Sequence, residues 1–193
     1  MKLKALSCDF YLHDRVEELA PELLGKVLVK KQNGVLASGI ITEVEAYAGD
    51  GRDKACHAHK GPTKRNQVMF EKGGIAYVYL CYGIHTLFNI VTNKKGYPDA
   101  ILVRATEPVG QIKKQLQRRN LTSLKPQISD GPGKLTQALG IDMKDNGVSL
   151  QSGRLMVCES PREFLVGNIL RGKRIGIEYA GEDIDKLWRF ALD

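Results

Sequence analysis

Two glutamates, Glu43 and Glu45, stand two residues apart in the segment EVEAY. On a strand that spacing puts both carboxylates on one face. One member of such a pair can act as a general base while the other supports it, provided that burial or a neighbouring cation sets its protonation. The plainer reading is a solvated polar face. Arg104 is the lone charge in the apolar run AILVRAT and is expected to be the partner, because a buried guanidinium must find a carboxylate or a carbonyl. Between residues 43 and 89 lie three of the four histidines and four of the seven tyrosines of the chain. Acids beside flat rings suggest a pocket for a planar ligand with a base poised next to it.

Cys56, His57 and His59 raise a metal reading, in which the two histidines share a cation with Glu43 or Glu45. No HExxH or comparable spacing accompanies them, so a stacking or hydrogen-bonding histidine is preferred and no metal is expected. Tyr77 and Tyr79 read as sheet packing or as a pocket wall. Tyr82 precedes Gly83 at a tight turn, where an aromatic has no core to fill; on a basic protein it can wedge between stacked bases. Arg65 in TKRN and the basic cluster at residues 113–119 could hold phosphates, or be solvated faces. The sequence Gly131-Pro132-Gly133-Lys134 precedes a helix, where free N–H groups attract anions. It is no Walker loop, since Ile128 and Leu135 stand where Gly and Ser or Thr are needed, and no cofactor is expected.

The elements that must position these groups follow from periodicity. Residues 14–24 have helical spacing, with Asp14 as cap, Pro21 as a break and Gly25 as stop. Residues 26–31 and 35–47 form a hairpin across Asn33-Gly34. Alternation puts Ile41, Glu43, Glu45 and Tyr47 on one face and Thr42, Val44 and Ala46 on the other. A long glycine-bearing loop runs over residues 48–74, the kind often kept for function. Residues 75–82 and 85–92 form a second hairpin, in which Tyr79 and Tyr82 fall on opposite faces. Residues 100–106 are a strand and residues 108–120 a basic helix. Residues 134–139 are a short helix, ended by Gly140. Residues 148–158, 174–179 and 188–192 read as late strands. The fold class expected is α+β: one mixed domain over residues 1–193, a curved antiparallel sheet with surrounding helices.

Hydrophobic residues make up 42% of the 193 and charged residues 26%, a globular composition able to bury a core without disulfides. The net charge of +7 points to nucleic acid or another anionic surface. The four cysteines form no CxxC pair, residues 1–7 lack a signal-peptide pattern, and no apolar run approaches a membrane span. These features predict a cytoplasmic protein with free thiols.

Taken in order, EVEAY, ACHA, GPTKRNQVMF, YVYLCYGIHTLFN, ILVRATEP and SDGPGKLTQALGI resemble the 3-methyladenine (alkyladenine) DNA glycosylases of the human-like type. The match runs from FYLHDRVEELAPELLGKVL at the front to RIGIEYAGE near the end. The resemblance implies a monofunctional enzyme that flips damaged purines out of double-stranded DNA and hydrolyses the N-glycosidic bond with water, working as a monomer. It implies Glu45 as the general base, with Arg104 holding it and its water. Tyr47 would stack on one face of the extruded base, His57 and Tyr79 would line the other, and Asn89 would exclude guanine. Tyr82 would fill the gap in the duplex, and Lys134 would lie near phosphate or sugar. Glu178-Tyr179 replace the Gly-His of mammalian members. The alternatives are a non-catalytic basic nucleic-acid-binding module and a metal-dependent hydrolase.

Overall fold

The computed structural model describes residues 3–160 and 168–193. Met1 and Lys2, part of the N-terminal stretch read above, lie outside them. Among the described residues, eight strands form one antiparallel sheet: β1 Val27–Gln32, β2 Val35–Tyr47, β3 Ala76–Cys81, β4 His85–Thr92, β5 Asp99–Gly110, β6 Leu155–Cys158, β7 Ile169–Gly172 and β8 Arg189–Leu192. The main path runs β3-β4-β5-β2-β1-β6, while β8 pairs with β2 and β7 with β8. Three short α-helices surround it: α1 Val16–Leu19, α2 Ile112–Arg118 and α3 Pro132–Leu139. The fold is thus α+β with a curled antiparallel sheet.

The two hairpins close as their dipeptides dictate. Asn33 and Gly34 both take left-handed backbone angles (φ 49° and 76°), as do Tyr82 and Gly83 (φ 51° and 70°). That double positive φ matches the right-handed twist of the strands entering and leaving the turn. Asn is a good residue for it; tyrosine is not, because its Cβ crowds the following carbonyl.

β2 is the spine of the sheet and is bent. Its pairing with β5 shifts register between Ser38 and Gly39, between Ile41 and Glu43, and again between Glu43 and Val44. Bulges of this kind add local twist and re-aim side chains. Past the bulge, β8 takes over the edge where β1 has ended, pairing Glu43 with Ala191, Val44 with Phe190 and Glu45 with Arg189. The bulge also corrects the simple alternation: Ile41 joins Val44 and Ala46 in the main apolar cluster instead of sharing the face of Glu43.

Other sequence expectations are also corrected. The helix over residues 14–24 is broken beside Pro21, as expected, into α1 and a 3₁₀ turn, Ala20–Leu23, but Asp14 does not cap it; Arg15 holds that place without a side-chain bond. Residues 108–110 belong to β5, and the basic helix starts only at Ile112, after Gln111 adopts φ 53°. Pro108 pairs with Gly39 at a register shift, a site where a missing N–H is tolerated. Only the last four residues of 148–158 form a strand. Residues 174–179 are not a strand; the chain there leaves β7 in extended and turn conformations and enters a 3₁₀ segment, Glu178–Asp185.

The main core fills the concavity behind β2, β4 and β5 with Tyr11, Leu23, Ile41, Val44, Phe88, Ile90, Ile101 and Leu135. A second cluster, built on Met69, Tyr77, Val91 and Ala100, supports the loop and strand that carry the ring-bearing residues.

Candidate active site

The long loop after β2 contains few hydrophobic anchors, so buried polar residues fix it. Asp99 accepts from the Gly49 N–H at 2.8 Å and from Asn93 Nδ2 at 2.9 Å, and pairs with Arg52. A Cβ on Gly49 would sit 2.4 Å from the Pro98 carbonyl oxygen, so only glycine allows this approach. Asn66 is buried; its amide donates to the carbonyls of His57 and Gly61 at 2.8 and 3.0 Å, while its oxygen accepts from the Thr63 N–H. The carbonyl bonds of Asn66 hold His57 at the mouth of the sheet. There the imidazole meets Tyr79 edge-on at 4.6 Å between ring centres, and its Nδ1 lies 3.0 Å from the Tyr77 hydroxyl.

Alternation along β3 puts Tyr77 and Tyr79 on the same face, stacked at 5.3 Å. Arg65, from the loop, lies 4.9 Å over the Tyr79 ring and donates from Nη2 to the Leu80 carbonyl. Packing of the imidazole against these rings removes water from it, and Arg65 adds a repelling charge; together they lower the His57 pKa from 6.5 to about 4. The ring is therefore neutral at pH 7. Burial pushes the Tyr77 hydroxyl up to about 12, so it keeps its proton.

On the opposite side, Glu45 and Tyr47 emerge from the end of β2. The Glu45 carboxylate is fully buried, accepts two hydrogen bonds and forms one ion pair. Tyr47 donates its hydroxyl to Oε2 at 2.7 Å, the Ile175 backbone N–H donates to Oε1 at 2.9 Å, and Arg104 Nη1 stands 3.4 Å from Oε1. A carboxylate offers about four lone-pair positions and two are taken by hydrogen bonds, so acceptor capacity remains for a water. Burial raises the Glu45 pKa above 4.5; Arg104, Tyr47 and Ile175 pull it back, and Glu43 pushes it up again. Glu43 has its own partners: Arg104 Nε at 3.1 Å and Arg189 Nη1 at 3.0 Å. Arg104 thus bridges both acids, and the like charges coexist because two guanidiniums lie between and beside them.

Arg174 completes this side. It is wholly buried and forms a two-pronged pair with Asp53, one prong being Nη2 to Oδ1 at 2.9 Å. It also donates to the Ala46 carbonyl at 2.9 Å and packs 4.8 Å from the Tyr47 ring and 5.2 Å from Trp188. The next residue, Ile175, is the one whose N–H reaches Glu45. Arg174 therefore fastens the segment after β7 to β2 in the register that this bond needs.

These walls enclose an open cleft of about 680 Å³, lined by Tyr47, His57, Tyr77, Tyr79, Asn89 and Arg104 among others. That is within the usual range for a site that holds one small molecule. Glu45 lies one layer behind, covered by Tyr47, Arg104 and Ile175, which all line the cleft. Asn89, on β4, donates from Nδ2 to the Tyr77 carbonyl at 3.2 Å, which fixes its amide plane at the cleft wall. Tyr82 stands at the rim, 92% exposed. Both Tyr79 and Tyr82 line the cleft, contrary to the opposite-face expectation, because the strand ends at Cys81 and alternation does not extend into the turn.

Of the residues singled out in the sequence, Glu45, Arg104, Tyr47, His57, Tyr79, Asn89 and Tyr82 converge on one place. Arg65 belongs to the cleft wall. Lys134 lies in the first turn of α3, half-exposed and paired with Asp130 at 2.9 Å. His59 takes no part in a metal-like cluster; among the described residues no group of three or more His, Cys, Asp or Glu side chains could hold a metal ion. Sequence reasoning missed Asp53, Arg174 and the Ile175 N–H. Arg174 lies in a charged stretch, and only its contacts distinguish it from the exposed Lys173.

An α+β chain whose curled sheet opens into an aromatic cleft, with a buried, arginine-held carboxylate behind it, is built to bind a flat ring and to handle a proton beside it. Comparison with known proteins gives this class a family. Residues 9–193 match the family described as Methylpurine-DNA glycosylase (MPG), and the chain belongs to that family of DNA repair enzymes, which hydrolyse N-glycosyl bonds. A protein of Chlamydia felis named "Putative 3-methyladenine DNA glycosylase" is 44% identical over 187 residues, covering 95% of this chain and 94% of its own. Proteins of the same name from Natranaerobius thermophilus (40% identity, 97% and 94% covered) and Bacillus cereus strain Q1 (46% identity, 94% and 92% covered) are similarly related.

Proposed function

We propose that this chain, as one domain and one copy, removes damaged purines, 3-methyladenine among them, from double-stranded DNA and leaves an abasic site. The observation that carries the reading is the buried Glu45 carboxylate, held by Tyr47, Ile175 and Arg104 directly behind the aromatic cleft, with acceptor capacity to spare. The damaged nucleotide leaves the base stack and its purine enters the cleft between Tyr47 and the His57–Tyr79 wall. Tyr82 occupies the space left in the duplex. A water at the free Glu45 position attacks C1′ as the bond to the purine nitrogen breaks; the bond's electron pair leaves with the base, and the water proton passes to Glu45. The carboxylate also faces the positive charge that develops on the sugar. Asn89 stands where the exocyclic amino group of guanine would have to lie, and so disfavours the undamaged base.

The test is Glu45→Gln, which keeps the shape and removes the base. Single-turnover release of free base from a lesion duplex in EDTA buffer should fall by about 10²- to 10⁴-fold, while binding to the same duplex is retained. Release at the wild-type rate would falsify the role of Glu45. Loss of the wild-type activity in EDTA would point instead to a metal-dependent hydrolase.

A further inference from the structure

The cleft is rich in aromatic rings, and such rings attract cations through their negative faces. Here two of the rings already carry a guanidinium each. The Arg174 guanidinium lies 4.8 Å from the centre of the Tyr47 ring. The Arg65 guanidinium lies 4.9 Å from the centre of Tyr79, which also meets the rings of His57 at 4.6 Å and Tyr77 at 5.3 Å. His57 adds no negative charge, and the two carboxylates behind the wall, Glu45 and Glu43, are both paired with Arg104. Among the described residues, two arginines, Arg65 and Arg104, line the cleft directly, whereas no aspartate or glutamate does. A flat molecule entering this space meets rings already polarised by Arg174 and Arg65, with one further arginine, Arg104, at the wall.

We infer that Arg65 is a specificity-determining residue that sets the charge preference of the base pocket, discriminating against positively charged purines in favour of neutral ones. The inference rests on the proposed glycosylase reading. A purine alkylated at N3 or N7 carries a full positive charge in the nucleotide, whereas hypoxanthine and ethenoadenine are neutral. Both stack on tyrosine, but only the cation is repelled by Arg65. Arg65 is also the one of these arginines with no carboxylate partner among the described residues; Arg104 is bound to Glu43 and Glu45, and Arg174 to Asp53. Its charge is therefore the least compensated at the wall, and it can be removed without leaving a buried acid unpaired.

The experiment compares kcat/KM for a duplex carrying 7-methylguanine with kcat/KM for one carrying hypoxanthine. It uses the wild-type chain, Arg65→Gln, Arg65→Lys and, as a control for lost phosphate contact, Lys64→Ala. The ratio of cationic to neutral excision should rise about fivefold in Arg65→Gln, from the loss of one solvent-screened charge near the base. It should return close to the wild-type value in Arg65→Lys, which restores charge without the planar guanidinium. Lys64→Ala should lower both activities equally. An unchanged ratio in Arg65→Gln, with both substrates reduced alike, would make Arg65 a backbone contact and overturn the inference. A fall in the ratio would overturn it in the opposite sense. If the wild-type chain releases neither base, the glycosylase reading fails; if it releases both and the ratio does not move, only the charge preference fails.

Discussion

At the scale of single residues, the site separates two titrations. Burial lifts Glu45 above the ordinary glutamate value, while desolvation and Arg65 drop His57 to about 4. Because Glu45 must be ionised to take a proton, the acid limb of the turnover profile should lie above pH 4.5 and should vanish with the residual activity of Glu45→Gln. A limb at or below the ordinary glutamate value would mean that Glu45 is not the titrating base. His57 contributes nothing to that profile near neutrality. Its folded value lies below its unfolded one, so the chain loses stability as pH falls from about 6.5 towards 4 and gains none above. NMR of the imidazole should show a midpoint below 5; a midpoint near 6.5 would contradict the packing described for the ring.

At the scale of elements, two pieces are held at a cost. The β3–β4 turn places Tyr82 at φ 51°, with its side chain 92% in solvent. A left-handed non-glycine residue costs roughly 1–2 kcal/mol, and no packing repays it within the free chain. Tyr82→Gly should therefore melt no lower than wild type, since relief of strain offsets the roughly 0.5–1 kcal/mol of glycine entropy. Binding to lesion DNA should weaken by about tenfold, because a stacking ring is gone. A lower melting temperature would show that the ring stabilises the hairpin. The second piece is the segment after β7, fastened by the Arg174–Asp53 pair. Arg174→Met should cost about 3–5 kcal/mol, since it leaves Asp53 charged and buried. The double variant Arg174→Met with Asp53→Leu should recover most of that loss. Its kcat should stay at least about tenfold down, because nothing then holds the Ile175 N–H on Glu45 or backs the Tyr47 ring. Full recovery of kcat alongside stability would reduce Arg174 to a structural residue.

At the scale of the whole molecule, a net charge of +7 governs the approach to DNA. The logarithm of the binding constant for duplex DNA should fall linearly with the logarithm of salt concentration, by about 0.9 for each phosphate neutralised. A flat response would exclude the backbone contacts that a base-flipping enzyme needs. Elsewhere, a buried cluster fixes the far side of the sheet. Lys30 pairs with Asp145, which also binds Arg154 at 2.8 Å and closes a capping box with Asp142. That cluster ties β1 to the segment preceding β6 and lies outside the cleft.

How much of this was legible beforehand depends on distance along the chain. The Asn33-Gly34 and Tyr82-Gly83 turns, the bounds of β2 and β4, the Gly140 helix stop and the shared face of Glu43, Glu45 and Tyr47 were all readable. Each is set by backbone preferences and a two-residue period acting over a few positions. The ordered run of motifs carried the family as well. The errors arose where neighbours in space overrode local preference: the bulge that turns Ile41 inward, the Pro108 segment drawn into β5, and residues 174–179, whose apolar alternation suggested a strand. What only the tertiary structure decided is the setting of the Glu45 carboxylate. Arg174 meets Asp53 across 121 residues, and the Ile175 N–H meets Glu45 across 130. Such pairings cannot be read from local pattern, because closing a longer loop adds little entropy cost and many partners compete on nearly equal terms. The choice among them is made by burial, where an unpaired charge is too costly to leave.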